Sequence, residues 1–267
     1  MYTKIGIIGL GFVGNAIFRS FKIKDIDVVA YDKYKDRGIG SFDEMLECDL
    51  VFLCLPTLFS ETSNSYDKSS IHEVCQRLHN NKYQGLVVLK STVEPETTNN
   101  LSNIYDIKLC HNPEFLTSKT AFEDFHNQQH IVIGFTDKYY DNGMLKKFYS
   151  QHYNAEISIC SSTESESMKI FCNSFYASKI MLFNEYYLLC QKNGSNFENI
   201  KNLMLKNNWI NPMHTSVPGP DGLIGYGGSC FPKDTRALFN YMKTNSSNNQ
   251  ILENVMDECG KVRNNKK

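Results

Sequence analysis

Short, nearly continuous apolar runs recur through about the first 155 residues, and this repetition restricts the fold more than any other feature of the sequence. The runs lie near residues 4–8, 26–31, 50–55, 85–89, 107–110 and 131–133. Helix-like segments alternate with them, near residues 12–21, 41–47, 68–79, 94–103 and 137–149. Strands that are apolar along their whole length are typical of parallel sheets covered by helices on both faces. Residues 1–160 are therefore predicted to form a doubly wound α/β domain with a mainly parallel sheet.

A different pattern, that of one long helix, begins at Ser162. Residues suited to an N-cap are followed by acidic residues, and no Gly or Pro occurs before Gly194, which suits a C-cap. At 1.5 Å per residue this helix would be about 45 Å long, more than one small domain usually buries. We expect it to link two regions and to carry a homodimer interface over residues 163–192; a merely solvated helix is the alternative.

The remaining pattern predicts further helices and no strands. They are expected near residues 196–207, 234–244 and 249–260. Residues 161–267 are thus predicted to form a connecting helix followed by a small all-helical domain, which serves dimerisation and catalysis.

Composition excludes several classes of protein. The chain has 28 basic and 29 acidic residues, a balance that argues against a dedicated nucleic-acid binder. Its first apolar run is too short for a signal peptide, and no stretch approaches the roughly 20 apolar residues of a membrane span. Nine cysteines without a Cys-x-x-Cys pair indicate reduced thiols rather than disulfides or a metal site. We expect a cytoplasmic protein with no nucleic-acid or membrane partner and no metal.

Gly9, Gly11 and Gly14 form a Gly-x-Gly-x-x-Gly pattern between the first apolar run and the following helix. The first glycine permits a tight turn, the second lets backbone approach a pyrophosphate, and the third lets the helix pack on the strand. Asp32 ends the second run, where a carboxylate can bind ribose hydroxyls and repel the 2′-phosphate of NADP. Either feature alone is typical of an ordinary turn. Together they predict an NAD-binding domain of the Rossmann type.

The stretch Gly225–Asp234, with the sequence GYGGSCFPKD, frames a cysteine with glycines, a proline and paired charges. Pro232 suits the first turn of a helix, so Cys230 is predicted to lie just ahead of a helix N-terminus with Lys233 nearby. Both the helix end and the ammonium favour thiolate over thiol. The usual role of a cysteine is that of a small buried apolar residue, which fits the cysteines in strand and helix patterns. Cys230 fits it poorly and is the candidate nucleophile.

A reactive cysteine beside a nicotinamide indicates oxidation of an aldehyde. A thiohemiacetal can give hydride to NAD and leave a thioester that water hydrolyses. Lys169 and Asn173 share one face of the long helix and are candidates for stabilising an oxyanion; a solvated lysine and an interhelix hydrogen bond are the alternatives. Glu114 follows the fifth run, at the sheet edge where α/β sites form, although it could be only a turn or N-cap residue.

Taken together, these segments resemble the UDP-glucose/GDP-mannose dehydrogenase family, in order and over almost the whole chain. The resemblance includes the glycine pattern and the stretches Cys54–Thr57, Lys90–Val93, Asn112–Leu116, Glu166–Asn173 and Gly225–Asp234, the last being the most specific. It implies an NAD-dependent, four-electron oxidation of UDP-glucose to UDP-glucuronate that consumes two NAD per sugar.

The resemblance also implies a role for individual residues. Cys230 would be the nucleophile, Lys169 and Asn173 would face the oxyanion, and Asp234 would orient a water or assist proton transfer. Glu114 would act in thioester hydrolysis, and Thr92 would line the site near the reacting carbon and a bound water. Cofactor contacts are expected at Gly9, Gly11, Phe12, Val13, Gly14, Asp32, Pro56, Thr57, Thr92 and Lys233. Substrate contacts are expected at Glu114, Phe115, Leu116, Lys169, Asn173, Tyr226, Gly227 and Cys230.

Three departures from the family pattern bear on substrate and cofactor binding. Ser118 stands where typical members carry a glutamate near the nicotinamide, and the segment Trp209–His214 lacks an arginine that many relatives use to hold substrate. The resemblance implies that relatives continue into a second Rossmann-like domain that binds the nucleotide base, and we expect these 267 residues to correspond to a short form without it. The loop His214–Gly222 is either a source of extra substrate contacts or a plain connection.

Two other functions stay open at the level of sequence. One is a one-step NAD-linked hydroxyacid dehydrogenase of the 6-phosphogluconate type, which has a similar architecture but needs no cysteine. The other is a non-catalytic nucleotide-binding relic. GDP-mannose or another nucleotide sugar is likewise open as the substrate.

Overall fold

A computed structural model describes residues 2–264 of the chain, which divide into two compact units. The first unit comprises the chain through Leu58 and the segment Tyr66–Lys169. The second comprises Phe59–Ser65 and the chain from Ile170 onward. The strands are β1 (Ile5–Ile8), β2 (Val28–Tyr31), β3 (Leu50–Leu53), β4 (Phe59–Ser60), β5 (Ser65–Tyr66), β6 (Leu86–Leu89), β7 (Leu109–His111), β8 (His130–Phe135) and β9 (Glu156–Ser161).

The described helices follow the predicted alternation. They are α1 (Phe12–Ile23), α2 (Phe42–Leu46), α3 (Ser69–Asn80), α4 (Thr97–Tyr105), α5 (Ala121–His126), α6 (Met144–His152), α7 (Ser162–Asn193), α8 (Phe197–Leu205), α9 (Phe231–Thr244) and α10 (Gln250–Asn264). The short helix α5 has no counterpart in the sequence prediction.

The first unit contains a seven-stranded sheet in the order β2-β1-β3-β6-β7-β8-β9. All neighbouring pairs are parallel except β7 and β8, where Cys110 lies opposite Phe135 in an antiparallel register. The predicted doubly wound, mainly parallel sheet is confirmed. Strand β9, which pairs with β8, lies beyond the last predicted strand.

Both faces of the central strands β1, β3, β6 and β7 are buried, as the continuous apolar runs predict. In β3, Leu50 and Phe52 belong to one core cluster, whereas Val51 and Leu53 belong to a second. Successive side chains of a strand point to opposite faces, so this strand contributes to two cores. Phe21 of α1 packs in the first cluster, edge to face on Phe52 at 5.5 Å.

Helix α7 begins at Ser162 and ends at Asn193, within a residue of the predicted limits. Gly194 follows it with a φ of +74°, the left-handed conformation that a glycine C-cap adopts at little cost. The boundary between the two units falls within this helix, after Lys169. In the second unit, Met181 of α7 packs with Tyr226 and with Cys259 of α10.

A two-stranded hairpin formed by β4 and β5 interrupts the first unit in sequence. Its segment Phe59–Ser65 groups with the second unit. Arg236 of α9 forms an ion pair with Glu61, and its guanidinium lies 5.2 Å from the centroid of the Phe59 ring. The second unit is therefore discontinuous in sequence.

Candidate active site

The glycine pattern forms the turn between β1 and α1. Gly9 has a φ of +91°, and a Cβ atom there would lie 2.5 Å from the carbonyl oxygen of Cys54. A Cβ on Gly14 would lie 1.8 Å from the carbonyl oxygen of Gly9. Gly9 is therefore required where the turn approaches the segment after β3, and Gly14 where the helix packs on the turn. By contrast, a Cβ on Gly11 would meet no atom within 4 Å, so the backbone there is open to a ligand.

A cavity of about 610 Å³ adjoins this turn. Gly11 is the N-cap of α1 and makes no side-chain cap, so the first N–H groups of the helix are left for an anion. The cavity is lined by Leu10, Gly11, Phe12, Asn15, Ala16, Arg19, Asp32, Lys35, Ser118, Lys119, Ala121, Phe122 and Glu123. The volume of the cavity, the open backbone at Gly11 and the N-terminus of α1 fit the pyrophosphate and adenosine parts of a dinucleotide.

Asp32 lies at the end of β2 and lines the same cavity. Its Oδ2 accepts a 2.7 Å hydrogen bond from the backbone N–H of Leu10, and its Oδ1 accepts from those of Tyr34 and Lys35. Partial burial opposes ionisation, but these three donors outweigh it and lower the pKa of Asp32. A carboxylate that stays charged suits the predicted role toward ribose hydroxyls.

The segments after β3 and β6 are joined at the carboxyl edge of the sheet. The hydroxyl of Thr57 donates to the carbonyl of Thr92 at 2.8 Å, and the hydroxyl of Ser91 donates to the carbonyl of Leu55 at 2.6 Å. Thr57 and Thr92 are buried, whereas Pro56 is exposed. The two threonines therefore contact one another and lie outside the cavity at the glycine turn.

Glu114 and Lys169 are brought together in the first unit. The Lys169 ammonium donates to the backbone carbonyl of Glu114 at 2.6 Å and lies 3.2 Å from its Oε1. The other carboxylate oxygen of Glu114 accepts from the N–H of Leu116 at 2.6 Å. Lys169 is buried, so the solvated lysine considered from sequence is excluded. Phe115, between these residues, is exposed and stacks on His130.

Lys90 is a buried cation that the sequence analysis names only as part of a matching stretch. Its ammonium donates to Oδ1 of Asn112 at 2.9 Å and to the carbonyl of Pro113 at 3.3 Å. Asn112 also accepts from the hydroxyl of Tyr149 and donates to the carbonyl of Val132. Burial lowers the pKa of Lys90 to about 8. This network holds the backbone that leads into Glu114.

His111 is a second buried titratable residue that sequence reasoning missed. Its Nε2 lies 3.3 Å from the carbonyl of Ser91, and its Nδ1 lies 2.8 Å from the hydroxyl of Ser165. Because a carbonyl only accepts, Nε2 carries the proton and Nδ1 accepts from the serine. Burial lowers the pKa of His111 to about 3. A histidine inside a strand gives no sequence indication of this neutral state.

In the second unit, α9 begins where the glycine and proline pattern predicts. Cys230 is its N-cap residue, and Pro232 lies in its first turn. The thiol of Cys230 is exposed and lies 3.7 Å from the hydroxyl of Ser229. Cys230 is the one exposed residue among the nine cysteines, all of which are free.

Asn173 and Asp234 form a buried pair between α7 and α9. The side-chain amide of Asn173 donates to Oδ2 of Asp234 at 2.6 Å. The ammonium of Lys233 lies 2.5 Å from Oδ1 of the same carboxylate. Lys233, assigned to cofactor binding from sequence, thus lies in the second unit beside Asp234. The backbone N–H of Asp234 in turn donates to the carbonyl of Cys230, so the pair and the thiol share one helix turn.

The two remaining predicted substrate contacts of the second unit lie in the loop before Cys230. Tyr226 is almost fully buried, whereas Gly227 is partly exposed. Leu116, in the first unit, is partly buried.

Between residues 2 and 264, no helix combines the length and apolarity that crossing a bilayer requires. Within the same described range, no three His, Cys, Asp or Glu side chains are grouped so that they could hold a metal ion.

Two sequence models of one family match successive parts of the chain. The NAD-binding domain of the UDP-glucose/GDP-mannose dehydrogenase family matches residues 39–153, and the central domain of the same family matches residues 163–258. The chain belongs to this family. NAD is therefore its cofactor, as the glycine pattern and Asp32 predict.

Among proteins of the family, UDP-glucose 6-dehydrogenase of Rickettsia bellii is 35% identical over 223 residues, which are 80% of this chain and 50% of that protein. The enzyme of the same name from Rickettsia prowazekii is 31% identical over 239 residues, or 84% of this chain and 52% of that protein. The chain thus spans about half the length of these curated relatives.

Solved structures share the fold. A UDP-glucose dehydrogenase from Pyrobaculum islandicum matches with a TM-score of 0.82 at 24% identity, over 96% of this chain and 68% of that one. A 3-hydroxyisobutyrate dehydrogenase from Mycobacterium tuberculosis, outside the family by name, matches with a TM-score of 0.77 at 15% identity, over 99% and 95% of the two chains. At these identities the likeness shows the fold alone.

Proposed function

We propose that the chain is an NAD-dependent dehydrogenase that oxidises UDP-glucose to UDP-glucuronate by four electrons, with Cys230 as the covalent nucleophile. The observation that carries the proposal is the position of Cys230. It is exposed, caps the N-terminus of α9, and lies one turn from the buried Asn173–Asp234 pair. A helix N-terminus favours a thiolate, and a thiolate is the nucleophilic form.

The first unit supplies the cofactor site of this reaction. When bound, NAD accepts a hydride from the substrate carbon in each of the two oxidations. Gly11 and the N-terminus of α1 would hold the pyrophosphate, and Asp32 would accept from the ribose hydroxyls. Among relatives a glutamate lies near the nicotinamide; here Ser118 takes its place and lines the cavity together with Lys119.

The covalent steps balance as follows. The primary alcohol loses a hydride and a proton and becomes an aldehyde. The Cys230 thiolate adds to the aldehyde carbon and forms a thiohemiacetal, which loses a second hydride and leaves a thioester. Water then cleaves the C–S bond, which releases the carboxylate and returns the thiolate. One sugar and one water thus consume two NAD and yield one acid, two NADH and three protons.

Five polar residues are proposed to take part in these steps. Asn173, fixed by Asp234, would donate to the oxyanion of the thiohemiacetal. Asp234 would orient the attacking water or assist proton transfer, because its carboxylate lies on the same helix turn as the thiol. Lys169 would also stabilise the oxyanion, and Glu114, bound to it, would act in thioester hydrolysis. Thr92 would line the site near the reacting carbon.

UDP-glucose is proposed as the substrate because curated relatives at 31–35% identity bear the name UDP-glucose 6-dehydrogenase. Asn112–Leu116 resembles the glucose and mannose branches of the family, so GDP-mannose is the nearest competitor. Competition between the two sugars for turnover by the pure protein tests this choice.

A one-step hydroxyacid dehydrogenase is the second candidate, since the fold of a 3-hydroxyisobutyrate dehydrogenase matches nearly the whole chain. Its reaction ends after one hydride transfer and uses no thiol. The frame of glycines and proline around Cys230 favours the four-electron reaction instead.

The deciding experiment is the stoichiometry of NADH formed per UDP-glucose consumed by the pure chain. Two NADH per sugar, with acid as the product, are expected. One NADH with an isolable aldehyde would show a two-electron dehydrogenase, and no turnover would show a nucleotide-binding relic. Either result contradicts the proposal.

Replacing the nucleophile tests the covalent step separately. Cys230→Ser is expected to bind NAD as the native protein does and to release no acid, because an alkoxide does not form readily at this position. Cys160→Ser, at a partly buried cysteine of β9, is the matched control and should keep full turnover. Acid formation by the Cys230 variant at the native rate removes this residue from the mechanism.

We also propose that the chain forms a homodimer through α7. Phe171, Phe175, Leu182 and Leu189 are 54%, 62%, 50% and 58% exposed, large values for apolar side chains. They recur at intervals of four and seven residues and so form one stripe along the helix. A second copy of the same stripe would bury it.

The proposed compartment is the cytoplasm, because all nine cysteines are free and disulfides are rare there.

A further inference from the structure

The loop that precedes Cys230 is tied to the C-terminal helix of the second unit by a single guanidinium. Arg263, in the last turn of α10, donates from Nη1 to the carbonyl of Gly225 at 2.9 Å and from Nη2 to Oδ2 of Asp221 at 2.6 Å. The planar fork of arginine can hold two acceptors at once, which an ammonium cannot do in the same geometry. One side chain therefore fixes both ends of the segment Asp221–Gly225.

Arg263 packs against two glycines of this loop, at positions where a Cβ atom would collide with it. A Cβ on Gly227 would lie 2.6 Å from Nη2 of Arg263, and a Cβ on Gly225, whose φ is +82°, would lie 2.9 Å from its Cγ. A Cβ on Gly228, by contrast, would meet no atom within 4 Å. Two of the three glycines thus serve the close approach of Arg263 to the loop backbone.

Other contacts hold the loop at Gly225 and at Tyr226. The N–H of Gly225 donates to Oδ1 of Asn184 on α7 at 2.9 Å. The thiol of Cys259 on α10 donates to the carbonyl of Tyr226 at 3.4 Å. The backbone at 225–226 is therefore fixed on both sides, five residues or fewer before Cys230.

The ion pair itself contributes little to stability. The side chains of Arg263 and Asp221 are 23% and 43% exposed, and ion pairs with that access to water usually stabilise by about 1 kcal/mol or less. The hydrogen bond from Arg263 lowers the pKa of Asp221, so its carboxylate stays charged further into the acidic range. The part-buried bond from Arg263 to the carbonyl of Gly225 is its direct contact with the loop backbone.

We propose that Arg263 is a positioning residue that holds Gly225–Gly228 in the conformation that presents the Cys230 thiol at the N-terminus of α9. The proposal rests on the proposed role of Cys230. A nucleophile displaced by about 1 Å can cost on the order of 100-fold in rate. Arg263 need not touch substrate to have this effect.

The test compares Arg263→Ala with the native chain by four measurements. Amide hydrogen exchange of a peptide covering 219–230 should be faster in the variant, whereas peptides of the NAD-binding unit should be unchanged. The kcat for UDP-glucose oxidation should fall about 10- to 100-fold, while the Kd for NAD stays within about twofold. Added guanidinium ion should restore part of kcat, which loss of overall stability would not allow. Lys261→Ala removes an exposed ion pair of the same helix and should change none of these quantities.

Arg263→Lys keeps the positive charge but removes the planar guanidinium that binds two acceptors. This variant replaces Arg263→Ala in the test if the alanine variant fails to fold. Faster exchange with reduced kcat in the lysine variant supports the proposal. Native exchange, or faster exchange with native kcat, overturns it. If the native chain does not oxidise UDP-glucose, the proposed function fails, whereas the exchange measurement still decides whether Arg263 holds the loop.

Discussion

Asn173 on α7 donates to the fully buried carboxylate of Asp234 on α9. This bond connects the long helix to the helix that Cys230 caps. The interhelix hydrogen bond that the sequence analysis gave as the alternative for Asn173 therefore exists. The oxyanion role is compatible with it, since an amide has two N–H donors and this bond uses one.

Removing either partner of this pair should destabilise the second unit. Asn173→Ala is expected to lower the free energy of unfolding by about 1–3 kcal/mol, because it takes away a donor to a buried charge. In a double-mutant cycle with Asp234→Ala, the combined loss should be smaller than the sum of the single losses. Urea titrations of the four proteins measure it. Lys243→Ala, at an exposed position of α9, is the control; strictly additive losses would mean that the two side chains do not interact.

Substituting alanine for Gly11 and for Gly14, in the turn between β1 and α1, should affect two different properties. Gly11→Ala is expected to leave the free energy of unfolding within about 0.5 kcal/mol but to weaken NAD binding at least tenfold, because the new methyl group meets only the cavity. Gly14→Ala should destabilise the fold itself, since its Cβ would overlap the carbonyl of Gly9. Thermal unfolding and calorimetric NAD titration separate the two effects. Native affinity in the Gly11 variant would place the cofactor elsewhere.

His111 should make the first unit sensitive to acid. Its folded pKa of about 3 lies below the ordinary value of 6.5, so the unfolded chain binds more protons between these limits. Its contribution to stability is therefore full above pH 6.5 and is lost as the pH falls toward 3, with a slope of at most about 1.4 kcal/mol per pH unit. His111→Gln should flatten the pH dependence of the urea midpoint over this range. An unchanged slope would show that another group is responsible.

The exposed stripe of α7 should determine the oligomeric state. Leu182→Glu places a charge in the middle of the stripe and is expected to convert a dimer to a monomer, measured by light scattering at matched concentrations. Gln191→Glu, at an exposed position that helical spacing places on the opposite face of α7, should leave the dimer intact. A native chain that is monomeric at micromolar concentration removes the dimer from the proposal.

Much of the fold could be predicted because the apolar pattern encodes burial. The runs of the central parallel strands are buried on both faces, and α7 continues to Asn193 because the sequence offers no breaker before Gly194. Strand β9 was missed because it is mixed in polarity and largely half-exposed at the sheet edge. The antiparallel pairing of β7 and β8 was also missed, because a buried strand is apolar whether it runs parallel or antiparallel to its neighbour.

The candidate site was predictable only where local chemistry is unusual. Glycines and a proline single out Cys230 as the proposed nucleophile, and the glycine pattern with Asp32 singles out the proposed NAD site. Lys90 depends on Asn112, a residue distant in sequence, and Arg263 depends on a loop some 40 residues earlier. Such pairs are made by tertiary structure, and a single sequence does not reveal which residues will meet.

The β4–β5 hairpin has a consequence for protein engineering. Because its segment Phe59–Ser65 belongs with the second unit, the polypeptide passes between the units three times, after Leu58, Ser65 and Lys169. Cutting the chain at any single position therefore cannot separate the two units intact. A fragment ending at residue 160 would keep Glu61 but lose Arg236, and a chimera that exchanges only the C-terminal module would separate the same pair. A chimera between relatives should therefore exchange the hairpin together with α9, so that all segments of the second unit come from the same protein.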